Sequence, residues 1–357
     1  MDNIPVTKPY LPNVDKLKGY IDEIYKSEWL TNKGPLLCEL EKRLSDYLGV
    51  KHVICVANGS LALQVAYKAL DINGEVITTP FSFAATSSTL LWENIKPVFC
   101  DVNIDTFNLD PKLIEGHITE NTSAILPVHV FGNPCEVEDI QDIAERYQLK
   151  VIYDAAHAFG VDYKEKSVLK YGDVSTLSFH ATKLFHTIEG GAVITDSDDI
   201  AKKVRKLINF GITGPDKIEG VGTNAKMNEF EAAMGLCVLD DIESIKGKRL
   251  DLINKYVDGL KHEVKLQSLN NFGSQICSYM PIALQSENEL LKVKEYLESQ
   301  GVFPRRYFYP SLDLAYDSKN LSPNSIDLSK RILCLPLYHE LSDVQVNKVV
   351  EGVKSKL

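Results

Sequence analysis

The chain has 357 residues, 44% hydrophobic and 25% charged, which is the balance of an ordinary soluble globular protein with room for a large core and two domains. A net charge of −10 argues against nucleic acid or an anionic membrane surface as the main partner, while leaving room for an anionic small molecule in a local site. No basic start leads into an apolar run, no stretch approaches the roughly 18 apolar residues of a membrane helix, and the cysteines are scattered without a C-x-x-C pair; the expectation is a cytoplasmic protein with buried thiols, no disulfides and no metal site.

In chain order, an extended N-terminal segment is expected first. Leu37, Leu40, Leu44 and Leu48 then recur at helical spacing, and Gly49 ends that helix. Apolar runs follow: "HVICVA", "EVITTP", "KPVFCDV", "SAILPVHVFG", "KVIYDAA", "STLSF" and "GAVIT". Helical or loop segments separate them, among them the amphipathic "EVEDIQDIAERYQL". Such alternation predicts an α/β fold with a mainly parallel sheet covered on both faces, spanning about residues 13–240. From 241 to 357 the pattern changes. A long helix in "DDIESIKGKRLDLINKYVDGL" leads into a smaller α+β unit holding "ICSYMPIAL", "ENELLKVKEYLESQ", "ILCLPLY" and "SDVQVNKVVEGVKSKL", with the N-terminal segment 1–12 grouped with it.

Three short stretches could carry chemistry. Asn58-Gly59-Ser60 stands between a strand-like run and a helical one, and a helix start offers free N–H groups to a phosphate; taken alone, a capped helix without a ligand is the commoner reading. Asp154 closes a run that reads as a buried strand, where a carboxylate needs a cation or hydrogen bonds, unless it is an exposed cap of the next turn. His157, three residues on, is by itself an ordinary structural histidine. "STLSF" supplies Ser175, Thr176 and Ser178, and Lys183 follows in a loop before Gly190-Gly191. A lysine at a buried strand end sheds its proton readily and condenses with aldehydes, whereas a lone lysine is more often surface decoration. Phosphate cradle, buried acid and lysine, in that order on an α/β scaffold, meet the three needs of pyridoxal 5'-phosphate.

With "TTPFSFAAT", "PVFCDVNIDTFNLDP", "PVHVFGNP", "YDAAHAFG", "SFHATKLFHTIEGGAVIT" and "GTNAKMNEFEAAMGL" in this order, the sequence resembles the DegT/DnrJ/StrS family of sugar aminotransferases over nearly its whole length. The resemblance implies the aspartate aminotransferase fold (fold type I), with Lys183 as the Schiff-base lysine and Asp154 facing the pyridine nitrogen. It puts His157 near the phenolic oxygen, and Gly59, Ser60 and Ser178 at the phosphate. Phe83 lies against the ring, and Asn224 reaches the phosphate of a neighbouring subunit in a homodimer with shared active sites. "NAKM" stands where the family form is closer to "NYRM", so Ala225 and Lys226 replace a tyrosine and an arginine there.

The expected reaction moves the amino group of L-glutamate to the keto carbon of a nucleotide-linked sugar. "LFHTIEGGA" resembles the form of enzymes that aminate carbon 4, which points to dTDP-4-keto-6-deoxy-D-glucose and the 4-amino-4,6-dideoxy product of O-antigen synthesis. UDP- or GDP-linked 4-keto sugars and 3-keto sugars are the alternatives. A dehydratase on the same cofactor would have the lysine replaced. In "GVFPRRYFYPSL", Arg305, Arg306, Tyr307 and Tyr309 either serve the diphosphate and sugar or form a solvated basic turn beside core tyrosines.

Overall fold

The computed structural model describes residues 3–357. The seven apolar runs become seven strands of one sheet: β1 (His52–Val56), β2 (Glu75–Thr78), β3 (Lys96–Phe99), β4 (Thr122–Leu126), β5 (Lys150–Asp154), β6 (Val174–Ser178) and β7 (Gly191–Thr195). Their order across the sheet is β1-β7-β6-β5-β4-β2-β3. β7 runs antiparallel to β1 and β6, and the other neighbours are parallel. Alternate residues serve two cores, as the two-residue repeat of a strand requires. Cys55, Ile77, Ile125, Val151 and Leu177 face one layer, while Ile54, Val76, Ala124, Ile152 and Val174 face the other.

The helices α1 (Val14–Ser27), α2 (Pro35–Leu48), α3 (Gly59–Ala69), α4 (Ala84–Trp92), α5 (Val137–Tyr147), α6 (Asp198–Leu207) and α7 (Glu229–Asp240) surround this sheet. α2 buries the four leucines of its repeat, and Gly49 closes it in the left-handed region at φ 63°. Each such leucine contributes about 1.5–3 kcal/mol by burial, so Leu40→Ala should cost roughly 2–5 kcal/mol. α1 corrects the expectation of an extended start. Asn13 caps it through the Asp15 N–H at 2.8 Å; Leu17, Tyr20, Ile21 and Ile24 recur at helical spacing, a pattern that sequence reasoning passed over, and Ile24 is its one fully buried residue. α7 is the opposite case, buried on nearly every side from Ala232 to Leu239, so it shows no hydrophobic period.

A second core lies beyond α7. α8 (Ile242–Leu260) puts Ile242 and Ile245 into the first core and Leu252, Tyr256 and Leu260 into the second. α9 (Glu287–Ser299), α10 (Asp343–Lys354) and an antiparallel sheet of β8 (Lys265–Leu266), β9 (Pro281–Ala283) and β10 (Ile332–Cys334) complete it. Ile4–Pro5 pairs with Val302–Phe303 and so fastens the N-terminal segment to this core. We propose a domain division at residues 240/241, where α7 gives way to the helix shared by both cores. Among the described residues no helix is long and apolar enough to cross a membrane.

Candidate active site

β1, β5 and β6 point the same way, and the chain leaves all three at one edge of the sheet, the side on which α/β proteins hold ligands. After β1, the Asn58 side chain accepts the Leu61 N–H at 2.9 Å, leaving Gly59 and Ser60 in the first turn of α3 without intrahelical acceptors for their own N–H groups. Gly59 must be glycine: a Cβ there would stand 2.9 Å from the Ser178 Cβ. Gly191 lies opposite both Val56 and Ser178, and a Cβ on it would meet the Asn58 carbonyl carbon at 2.7 Å. These two close approaches bring the end of β6 against the start of α3.

Asp154 ends β5 and is buried. Its Oδ2 accepts the Thr86 hydroxyl at 2.8 Å, its Oδ1 accepts the Ala156 N–H at 3.2 Å, and Ser82 pairs with Thr86 at 2.7 Å. Burial pushes this carboxyl's pKa up, against the downward pull of the two hydrogen bonds and of Lys183. Five residues past the end of β6, the Lys183 amine donates to the Tyr279 hydroxyl at 3.1 Å. Burial lowers its pKa to about 8, while the Asp154 charge works in the other direction, so a fraction of the amine is free base near neutral pH. His157 is buried and its pKa falls well below the usual range for the same reason. Its Nδ1 accepts the Phe131 N–H at 3.2 Å, which puts the proton of the neutral ring on Nε2. The ring lies parallel to Phe308, 5.8 Å away at 4°.

These groups open onto one cleft of about 300 Å³. Gly59, Ser60, Phe83 and Ser178 line it beside Asp154, His157 and Lys183; Phe83, just ahead of α4, is 54% exposed. From the second unit come Arg305, Tyr307, Phe308 and Tyr279. Three of the expected residues are not brought in. Asn224 is exposed and bridges to Asn209, away from this chain's own cleft. Arg306 turns aside to donate to Glu287 at 2.6 Å and stacks 3.6 Å over the ring of Tyr309, which is itself 50% exposed.

Sequence reasoning missed Ser82, Thr86, Tyr279 and Phe308. The hydroxyls of "FSFAAT" sit four residues apart at a helix start, a signal that could have suggested the pair. Tyr279 lies 96 residues from Lys183, and nothing local in the sequence marks it. The cleft fits a flat aldehyde bearing a phosphate: open helix N–H groups at one end, a buried acid at another, and an amine of lowered pKa between aromatic rings.

The DegT/DnrJ/EryC1/StrS aminotransferase family model matches residues 13–354. A dTDP-4-amino-4,6-dideoxy-D-glucose transaminase of Shigella dysenteriae is 41% identical over 358 residues, covering 98% of each chain. An Escherichia coli protein of the same name is 39% identical over 366 residues, covering 99% of each. The crystal structure of DesI in the presence of its TDP-sugar product matches with a TM-score of 0.94 at 32% identity, covering 99% of this chain and 93% of that one. A match of this extent, with the cleft described above, means that the chain belongs to the DegT/DnrJ/EryC1/StrS aminotransferase family.

Proposed function

We propose that the protein is a pyridoxal 5'-phosphate-dependent aminotransferase that carries nitrogen from L-glutamate to carbon 4 of dTDP-4-keto-6-deoxy-D-glucose, giving dTDP-4-amino-4,6-dideoxy-D-glucose for surface-polysaccharide synthesis. The observation that carries this reading is the meeting, in one cleft, of an amine with lowered pKa, a buried carboxylate and the open start of a helix. The names of the two transaminases support the choice of sugar and nucleotide.

When bound, the cofactor supplies an aldehyde and an electron-withdrawing ring that eases ionisation of a C–H bond beside nitrogen. Gly59, Ser60 and Ser178 would hold its phosphate, and Asp154 would keep its ring nitrogen protonated. Phe83 would cover one ring face, and the Nε2–H of His157 would donate to the phenolic oxygen. Lys183 would bond the aldehyde carbon until an amino acid displaces it. Once freed, its amine would take the α-proton of the donor and give a proton to the former aldehyde carbon on the other side of the nitrogen, a task suited to a base whose pKa is about 8. Arg305 has no carboxylate within 4 Å among the described residues and, with Tyr307, is free to bind the sugar diphosphate.

A homodimer with shared active sites belongs to this proposal. Asn224 is exposed outside its own cleft, and Trp92 and Val221, 80% and 90% exposed, line a neighbouring groove with Leu61, Val65 and Leu207. All seven cysteines are free, six of them buried, which suits the reducing cytoplasm. The test is to incubate the protein with L-glutamate and dTDP-, UDP- and GDP-linked 4-keto and 3-keto sugars, then read product mass and proton couplings. The dTDP-4-amino product should dominate. Faster turnover of another nucleotide or another carbon would reassign the substrate, and no amination of any sugar would reject the reading.

A further inference from the structure

The catalytic lysine and its hydrogen-bond partner come from different units of the molecule. Lys183 follows β6 of the large sheet, whereas Tyr279 stands two residues before β9 of the C-terminal unit. The Tyr279 hydroxyl is the one hydrogen-bond partner of the amine among the described residues, at 3.1 Å, and the amine also lies 5.7 Å from the centre of the ring. The ring is held on three sides, by His157 at 4.7 Å, Phe131 at 5.4 Å and Tyr307 at 5.8 Å. Burial raises the phenol's pKa, so the hydroxyl keeps its proton and can either accept from an ammonium or donate to an amine.

We propose that Tyr279 is a positioning residue: its hydroxyl holds the Lys183 amine whenever that amine is not bonded to the cofactor, and it is the principal uncharged partner of the protonated form. This rests on the reading of Lys183 as the cofactor-bonding lysine. The groups facing the amine are Asp154, His157, Tyr279 and Tyr307. Asp154 is committed to Thr86 and Ala156, and His157 is neutral and engaged by the Phe131 N–H. Removing the hydroxyl therefore leaves the amine in a half-buried place without a bonded partner. A hydrogen bond from a charged donor is about twice as strong as one between neutral groups, so the ammonium loses more than the free amine does. The balance then moves toward the unprotonated form, and the amine loses its fixed position.

Tyr279→Phe isolates the hydroxyl, because it keeps the ring and its three packing contacts. Competitive acetylation of the cofactor-free full chain across about pH 6–10, with Lys183 quantified by peptide mass, reads the amine directly. Wild type should reach half-reactivity near pH 8. In the variant the midpoint should fall by about one unit. With cofactor and substrates, kcat should drop about tenfold while KM for the amino donor stays within about twofold, the pattern of a base held out of place. Borohydride reduction after loading with pyridoxal 5'-phosphate identifies the cofactor-bonding lysine in both proteins. Label on a lysine other than Lys183 in wild type would remove the underlying reading. Label on Lys183 with superimposable acetylation profiles would leave that reading standing and overturn the role of Tyr279.

Discussion

The two walls of the cleft are built differently. On one side Gly59, Asp154 and Lys183 lie at or just beyond the ends of β1, β5 and β6, whose interiors are almost fully buried. Their places are set by the packing of the largest core. On the other side Tyr279, Arg305, Tyr307 and Phe308 come from connections around the small antiparallel sheet, at sequence distances of roughly a hundred residues or more from Lys183. Tyr279 apart, since it reaches across to hold the Lys183 amine, the division suits the proposed chemistry. Groups that handle protons and electrons need fixed geometry, whereas groups that choose a substrate do better on connections that can vary without disturbing a core.

The largest expected effects lie on the sheet wall. Lys183→Ala should lower turnover by at least about 10³-fold without loss of fold, since it removes both the covalent anchor and the base. Substantial remaining activity would break the assignment. The same residue should weaken the fold. Its pKa is lowered to about 8 in the native chain but is about 10.5 when unfolded, so unfolding takes up a proton between those values and the cofactor-free protein gains stability as pH rises across that window. Lys183→Met should therefore be more stable than wild type at pH 7, by on the order of 2 kcal/mol after allowance for water in the cleft, with the gap closing toward pH 10.5. Denaturant midpoints at several pH values measure it, and a gap independent of pH would show that the amine is not held in a costly place.

Two smaller effects sharpen the comparison. Thr86→Val removes the hydroxyl that donates to Asp154 at 2.8 Å, and loss of one hydrogen bond to a charged group should cost about tenfold in kcat. KM for the nucleotide sugar should stay unchanged. Arg305→Ala on the opposite wall should do the reverse, raising that KM about tenfold with kcat nearly intact. Steady-state kinetics on both variants decide the point; the same pattern in both would erase the distinction between the walls.

How much of this was legible depends on whether the signal was local. The seven strands could be read because each is a short apolar run, largely buried except in the edge strand β3, and α2 because its leucines keep a helical period. α7 could not, since burial all round removes the contrast between faces. Lys183, Asp154 and Gly59 stood out because each adjoins a strand and because their order matches a known set of motifs. Thr86 and Tyr279 act through contacts across 68 and 96 residues, which no spacing rule marks. The antiparallel course of β7 was likewise hidden, because direction depends on a connection rather than on a run of side chains.

Arg305 and Arg306 show the same limit at its sharpest, and they give the smallest predicted effect. The sequence presents two adjacent arginines of equal chemistry. The backbone of Arg305 pairs with Cys334 in extended form, through N–H···O bonds of 3.0 and 2.8 Å, so successive side chains leave on opposite sides. Arg305 and Tyr307 share the side that lines the cleft, and Arg306 takes the other, where it meets Glu287 and the ring of Tyr309. Arg306→Ala should leave kcat and KM within about twofold of wild type, because nothing in the cleft is removed. Its cost should fall on stability: the side chain is only 14% exposed, and losing the pair and the stacking should lower stability by about 1–2 kcal/mol. Thermal melting and sugar-dependent kinetics on the same preparation test both halves. A tenfold rise in KM with no change in melting would put Arg306 in the binding wall and show that the alternation of side chains does not govern this turn.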